Sequence, residues 1–346
     1  MAYSTISKPS LHFNTKLYTG NGSTQSITGV GFQPDWTWLK SRSNANVHAL
    51  FDAVRGVTKR ISSNDNSAEY TEAGALTAFD SDGFSLGNWT STNGSGHTLA
   101  SWNWKANGSG SANTDGSINS TVSVNQTAGF SIVKWTGTQS LGTVGHGLNA
   151  TPDVILIKNV SAGENWIMYH VGLGGNTKNL YLDATNAVDT RTDTFNSTSP
   201  TSSLFTVNTA TGTNKSGSTM MAYCFAGKKG YSKFGSYTGN GNADGTFVYT
   251  GFKPAFVLIK HTNGTSNWTI NDTGRDPTNV NNLRLFPNTN VAESTGSDSM
   301  DMLSNGFKFR STDGGNNGSG DTYIYMAFAE EPLVANVGAS IPATAR

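Results

Sequence analysis

The chain has 346 residues, more than the roughly 100–200 of one ordinary domain. Only 13% are charged, against ~25% in typical soluble proteins, and Gly, Ser, Thr and Asn take their place, as suits turns and solvent-facing strand positions rather than helices. Lys+Arg and Asp+Glu number 23 each, with no basic run, which excludes the electrostatic footprint of a nucleic-acid-binding protein.

The first nine residues lack the apolar core of a signal peptide, and no stretch approaches the length of a membrane span. Leu17-Tyr18-Thr19-Gly20-Asn21-Gly22 closes a first predicted strand. A second strand follows Pro34, where proline breaks no ladder bond; alternation there puts Trp36 and Trp38 on one face and Thr37 and Leu39 on the other. Val47–Arg55 is the one segment that reads as a short helix or helical turn. Asp80-Ser81-Asp82-Gly83 has alternating carboxylates like a calcium loop, but Asp-Gly followed by alternating apolar residues is the pattern of a tight hairpin. Thr98–Trp104 is an alternating strand, and 107–117 reads as a flexible Gly/Ser/Asn-rich linker. Beyond it, Phe130–Gly137, the block Gly147–Lys158 around Pro152, and the apolar run 219–226 continue the strand pattern. That run holds the single cysteine, Cys224, which reads as core and leaves no partner for an intrachain disulfide. A short joint, 227–230, leads to Ser236-Tyr237-Thr238-Gly239-Asn240-Gly241, the strand after Pro254, and the alternating run 322–329.

The opening, proline and closing segments therefore recur three times. The expected architecture is all-β, with three tandem jelly-roll or lectin-like β-sandwich units of about 100 residues. The units run 1–106, 129–228 and 229–331, with a linker at 107–128 and a tail at 332–346 that is a candidate docking arm.

The chemistry-bearing residues are sparse. The histidines His12, His48, His97, His146, His170 and His261 show no ligand spacing, and no nucleophile elbow is present. Carboxylates that a glycosidase would need include Asp35, Asp52, Asp80, Asp82, Asp153, Glu164 and Asp183, yet none recurs as a pair across the copies. Asp52 and Asp272 are each followed three residues on by arginine (Arg55, Arg275), the spacing of a loop-orienting ion pair. No catalytic residue, metal or cofactor is expected. Trp89, Trp166 and Trp268 lie in polar surroundings, the last two after Asn165 and Asn267. A flat ring beside an amide is what a carbohydrate platform uses; the alternative is that these rings cap the ends of the sandwiches.

The segments Met1–Ile6, Phe13–Gly22, Gln33–Lys40, Leu50–Gly56, Ala100–Ala106, Ala327–Val334 and Ile341–Arg346 together resemble a family of tailed-bacteriophage virion proteins abundant in marine viruses. The resemblance covers essentially the whole chain, termini included, and implies a complete, non-enzymatic, tail fibre-like structural protein with lectin-like folds. It implies a location in the virion, on a tail fibre, tail tip or head appendage. The partners expected are other virion proteins, further copies of itself, and a host-surface glycan or protein; neither nucleic acid nor membrane insertion is expected. Capsid cement without a receptor and a polysaccharide-degrading tailspike are the alternatives.

Overall fold

The computed structural model describes residues 4–332, so the proposed docking arm falls almost wholly outside the described residues. The chain is nearly all β: antiparallel strands with two four-residue helices, Thr90–Asn93 and Thr211–Asn214, and two short 3-10 turns.

Three sheets carry the same arrangement. In the first, the opening strand Phe13–Thr19 pairs with the closing strand Thr98–Trp104. That strand pairs with the second strand Trp36–Ser41, and this in turn with the third, Ala49–Asp52. The same order joins Phe130–Thr136, Thr219–Phe225, Val154–Asn159 and Ile167–His170. It joins Ser232–Thr238, Thr322–Pro332, Phe252–His261 and Thr269–Asp272 as well. Each of these inner sheets is covered on one side by an outer sheet, which forms a sandwich core around Phe84, Phe205 or Phe307.

The other faces of the three inner sheets meet in a single central core. Trp36 and Trp38 point there, whereas Leu39 points into the first sandwich, as alternation requires. Register makes Trp104, Phe225 and Phe328 equivalent, each on a closing strand opposite the start of a second strand. The three rings touch pairwise, with centroids 6.5, 5.6 and 5.8 Å apart, and so define a pseudo-threefold axis. With both faces covered, the second strands Trp36–Ser41 and Val154–Asn159 are buried along their whole length.

The recurring Thr-Gly has a steric cause. A Cβ on Gly20, Gly137 or Gly239 would lie 2.2–2.3 Å from the carbonyl oxygen of Gly94, Lys215 or Gly318. The loop beyond each glycine is pinned by one buried asparagine: Asn93, Asn214 and Asn317 each accept a backbone N–H through Oδ1, from Asn21, Thr138 and Asn240.

Two expectations need correction. Val47–Arg55 holds no helix: Ala49–Asp52 is a strand, because pairing with Trp36–Leu39 satisfies the backbone and buries Leu50 and Phe51 on opposite faces, and only 53–55 form a turn, closed by the Gly56 amide on the Asp52 carbonyl at 3.0 Å. The supposed linker 107–128 carries strands Ser111–Asn113 and Ser120–Asn125, which extend the second inner sheet. Asp35 fixes its start by accepting from the amides of Ala106 (2.7 Å) and Gly108 (3.0 Å). Asp153, at the same register, holds the second joint by accepting from Gly227 at 2.7 Å. Asp80–Gly83 is the hairpin turn that its sequence suggested, and Cys224 is fully buried.

With a shared centre, we expect the three units to unfold as one cooperative body. Residues 1–106 alone would expose Trp36, Trp38, Trp102 and Trp104, and we expect that fragment to lack a folding transition in circular dichroism. Phe225→Ala should cost about 3–5 kcal/mol and shift a single urea transition of the whole chain. Separate transitions for the units would refute the shared core.

Candidate functional site

Trp166 and Trp268 are 0% and 1% exposed. They are neither a carbohydrate platform nor caps on the sandwich ends, because both are buried in the central core, where the units meet. Each stands just before a third strand, a position that His48 holds in the first unit. From there each reaches a neighbouring unit. The Trp166 indole N–H donates to the Ser62 carbonyl at 2.7 Å, and that of Trp268 to the Tyr181 carbonyl at 2.9 Å. His48 Nε2 closes the circle on the Phe286 carbonyl at 3.1 Å. The second unit thus contacts the first, the third the second, and the first the third.

A second ring lies at the far end of the same strands, at Asp52, His170 and Asp272, which register makes equivalent. The Tyr223 hydroxyl donates to Asp52 at 2.7 Å, Trp102 Nε1 to Asp272 at 3.0 Å, and His170 Nε2 to the Tyr325 carbonyl at 3.1 Å. Arg55 and Arg275 complete ion pairs with the two aspartates, as the shared spacing suggested. Backbone bonds repeat the circle: Glu69 N–H to Val160, Val188 to Thr262, and Glu293 to Arg42, at 2.7–2.9 Å.

Lys40, Lys158 and Lys260 are fully buried at equivalent places on the second strands. Lys158 donates to the carbonyls of Asn66 and Glu164, and Lys260 to those of Thr185 and His261. Carbonyls only partly replace water around an ammonium, and burial lowers all three pKa values to about 8. Of the carboxylates that a hydrolase might have used, Asp52 is held by Arg55 and Tyr223, Asp35 by two backbone amides, Asp153 through one oxygen by the Gly227 amide, and Asp82 by the amides of Gly29 and Gly31.

The other three predicted residues lie in three different units and are not brought together. Asn165 is exposed. Asn267 is half-buried, accepts from the Asn288 amide at 2.8 Å, and lines a 220 Å³ hollow with Arg284, Phe286 and Asp313. Trp89 packs against the first sandwich core. The Arg60 guanidinium lies 5.2 Å from its ring centroid and 4.6 Å from that of Tyr70, which is half exposed.

The model of a domain of unknown function, DUF7483, matches residues 8–332. The chain belongs to the DUF7483 family. The match takes in all three sheet sets of the DUF7483 chain as one domain, in keeping with the shared core. No curated protein and no solved structure matches it. Among the described residues of this DUF7483 chain, no helix is long and apolar enough to cross a membrane.

The seam histidines impose a pH dependence. In both His48 and His170, Nδ1 accepts a hydrogen bond, from Trp38 Nε1 at 2.8 Å and from the Gly172 amide at 3.0 Å, while Nε2 faces a carbonyl. Only the neutral Nε2–H tautomer satisfies both contacts. Burial lowers the His170 pKa to about 4, against about 6.5 in an unfolded chain. Between those values the unfolded chain binds more protons, so this contribution is complete above pH 6.5 and is lost as the pH falls towards 4. Between pH 7 and pH 4 we therefore expect the wild type to lose on the order of 3 kcal/mol more stability than His170→Gln. Urea midpoints at the two pH values would show it, and equal losses would disprove it.

Proposed function

We propose that this protein is a non-enzymatic structural component of a tailed-phage virion, exposed on a tail fibre, tail tip or head, that makes assembly contacts and recognises a host-surface glycan. The observation that carries this reading is the use of the buried polar groups. Asp52, Asp272, His48, His170, Lys158, Lys260 and the indoles of Trp102, Trp166 and Trp268 are bound into the circle of contacts between units. That investment favours a rigid body over a catalytic cleft, since a hydrolase would need two carboxylates facing a substrate. What faces solvent is mainly Asn-, Ser-, Thr- and Gly-rich loops, a surface of low charge suited to packing among other particle proteins. The resemblance of the terminal and tryptophan-rich segments to marine phage virion proteins supports the same reading.

Three measurements test it. Mass spectrometry of purified phage particles should detect the protein, and cryo-EM should place a compact, pseudo-threefold density on an exposed part of the particle. Purified protein incubated with host polysaccharide should release no new reducing ends. Absence from particles would overturn the virion reading, and depolymerisation would overturn the non-enzymatic one.

A further inference from the structure

The pseudo-threefold arrangement supplies an internal control, because any position can be compared with its two equivalents. One cluster stands out. Strand Phe247–Tyr249 is the edge of the third outer sheet, pairing only with Gly306–Phe309. Phe247 and Tyr249 are 43% and 50% exposed, whereas Val248 between them is buried. Register places Ser26 and Thr28 at the same points in the first unit, and Thr143 and Gly145 in the second. Lys233, on the adjacent opening strand, corresponds to Asn14 and Ser131. The other units keep the same strand pairing without a lysine or an aromatic there, so the fold does not demand either.

Lys233 and Tyr249 line a cleft of about 340 Å³ that also takes in Asp153, Gly227, Phe234 and Thr250. That size lies at the lower end of small-molecule sites. The Lys233 ammonium donates to the Tyr249 carbonyl at 2.7 Å and lies 5.2 Å from the Tyr249 ring centroid, which leaves two N–H donors for a ligand. The Tyr249 hydroxyl and the second oxygen of Asp153 have no hydrogen-bond partner among the described residues. An exposed ring, an ammonium and a carboxylate at one cleft offer an apolar face, donors and acceptors together. That combination matches a sugar, whose C–H face stacks on an aromatic ring while its hydroxyls both donate and accept.

We propose that this cleft is a saccharide-binding site, with Tyr249 as the stacking platform and Lys233 and Asp153 as hydroxyl partners. It deepens the recognition part of the proposed function and rests on that reading only for the source of the sugar.

Saturation-transfer NMR on the full chain with free glucose, galactose, N-acetylglucosamine and glucuronate tests it, together with an array of bacterial surface glycans. We expect transfer to ring protons of at least one sugar. Binding should be at least tenfold weaker in Tyr249→Thr and in Lys233→Asn, with melting temperatures unchanged. Both variants install the residue of the first unit, so the fold should tolerate them. No transfer to any sugar, transfer unchanged in both variants, or Tyr249-dependent self-association without sugar binding would overturn the site. Sugar binding by a protein absent from particles would remove the virion reading and leave the site standing; presence in particles without sugar binding would do the reverse.

Discussion

Trp104, Phe225 and Phe328 meet at the pseudo-threefold axis, and much else in the structure follows from that contact. Three inner sheets can share one centre only if each presents an apolar face outward from its own sandwich. Each inner sheet is thus covered on both sides. Its second and closing strands are buried almost throughout, and its polar strand-end residues are carried into the seams. Aromatic rings suit such a centre because each buries a large area and accepts tilted or edge-on neighbours.

A buried seam cannot leave its donors and acceptors unpaired, and the pairing here is directional. At each of two levels, a side chain from one unit reaches the next in an order that closes after three steps. The chemistry varies from seam to seam, with indole to carbonyl, imidazole to carbonyl, or phenol to carboxylate. The geometry stays constant because the strand register is constant. Charged groups enter this layer only when paired or well hydrogen-bonded, as Asp52 with Arg55 and Asp272 with Arg275 show, which agrees with the cost of burying an unpaired ion.

Where the threefold pattern breaks, the break can be sorted by what the fold needs. His48 in place of a tryptophan keeps the contact to the next unit and is a structural substitution. Lys233 and Tyr249 in place of Asn14 and Thr28 keep no contact between units and add an exposed ring beside a cleft. The positions that separate these cases lie outside the repeat segments that the sequence aligns. Strand register is what shows which positions correspond across strands far apart in the chain.

Much of the local structure was legible in the residues. Alternation placed Trp36 and Trp38 on one face, Asp-Gly marked the hairpin at Asp80–Gly83, and the Asp–Arg spacing marked the ion pairs at Asp52 and Asp272, because strand period, turn chemistry and short-range pairing are set by neighbours in sequence. The burial of Trp166 and Trp268 was not legible. Asn, Ser and Thr around a tryptophan look like a loop, and nothing nearby reveals that a carbonyl from another unit, 104 residues away for Trp166 and 87 for Trp268, waits for its indole N–H. The helix expected at 47–55 and the linker at 107–128 failed for the same reason: each segment's backbone partners lie elsewhere in the chain. The sequence by itself determined an all-β chain of short alternating strands with known turns. The tertiary structure alone decided that the inner sheets close around one axis, and so which polar residues are spent on the seams and which remain for a ligand, because closure depends on contacts between units that no local pattern encodes.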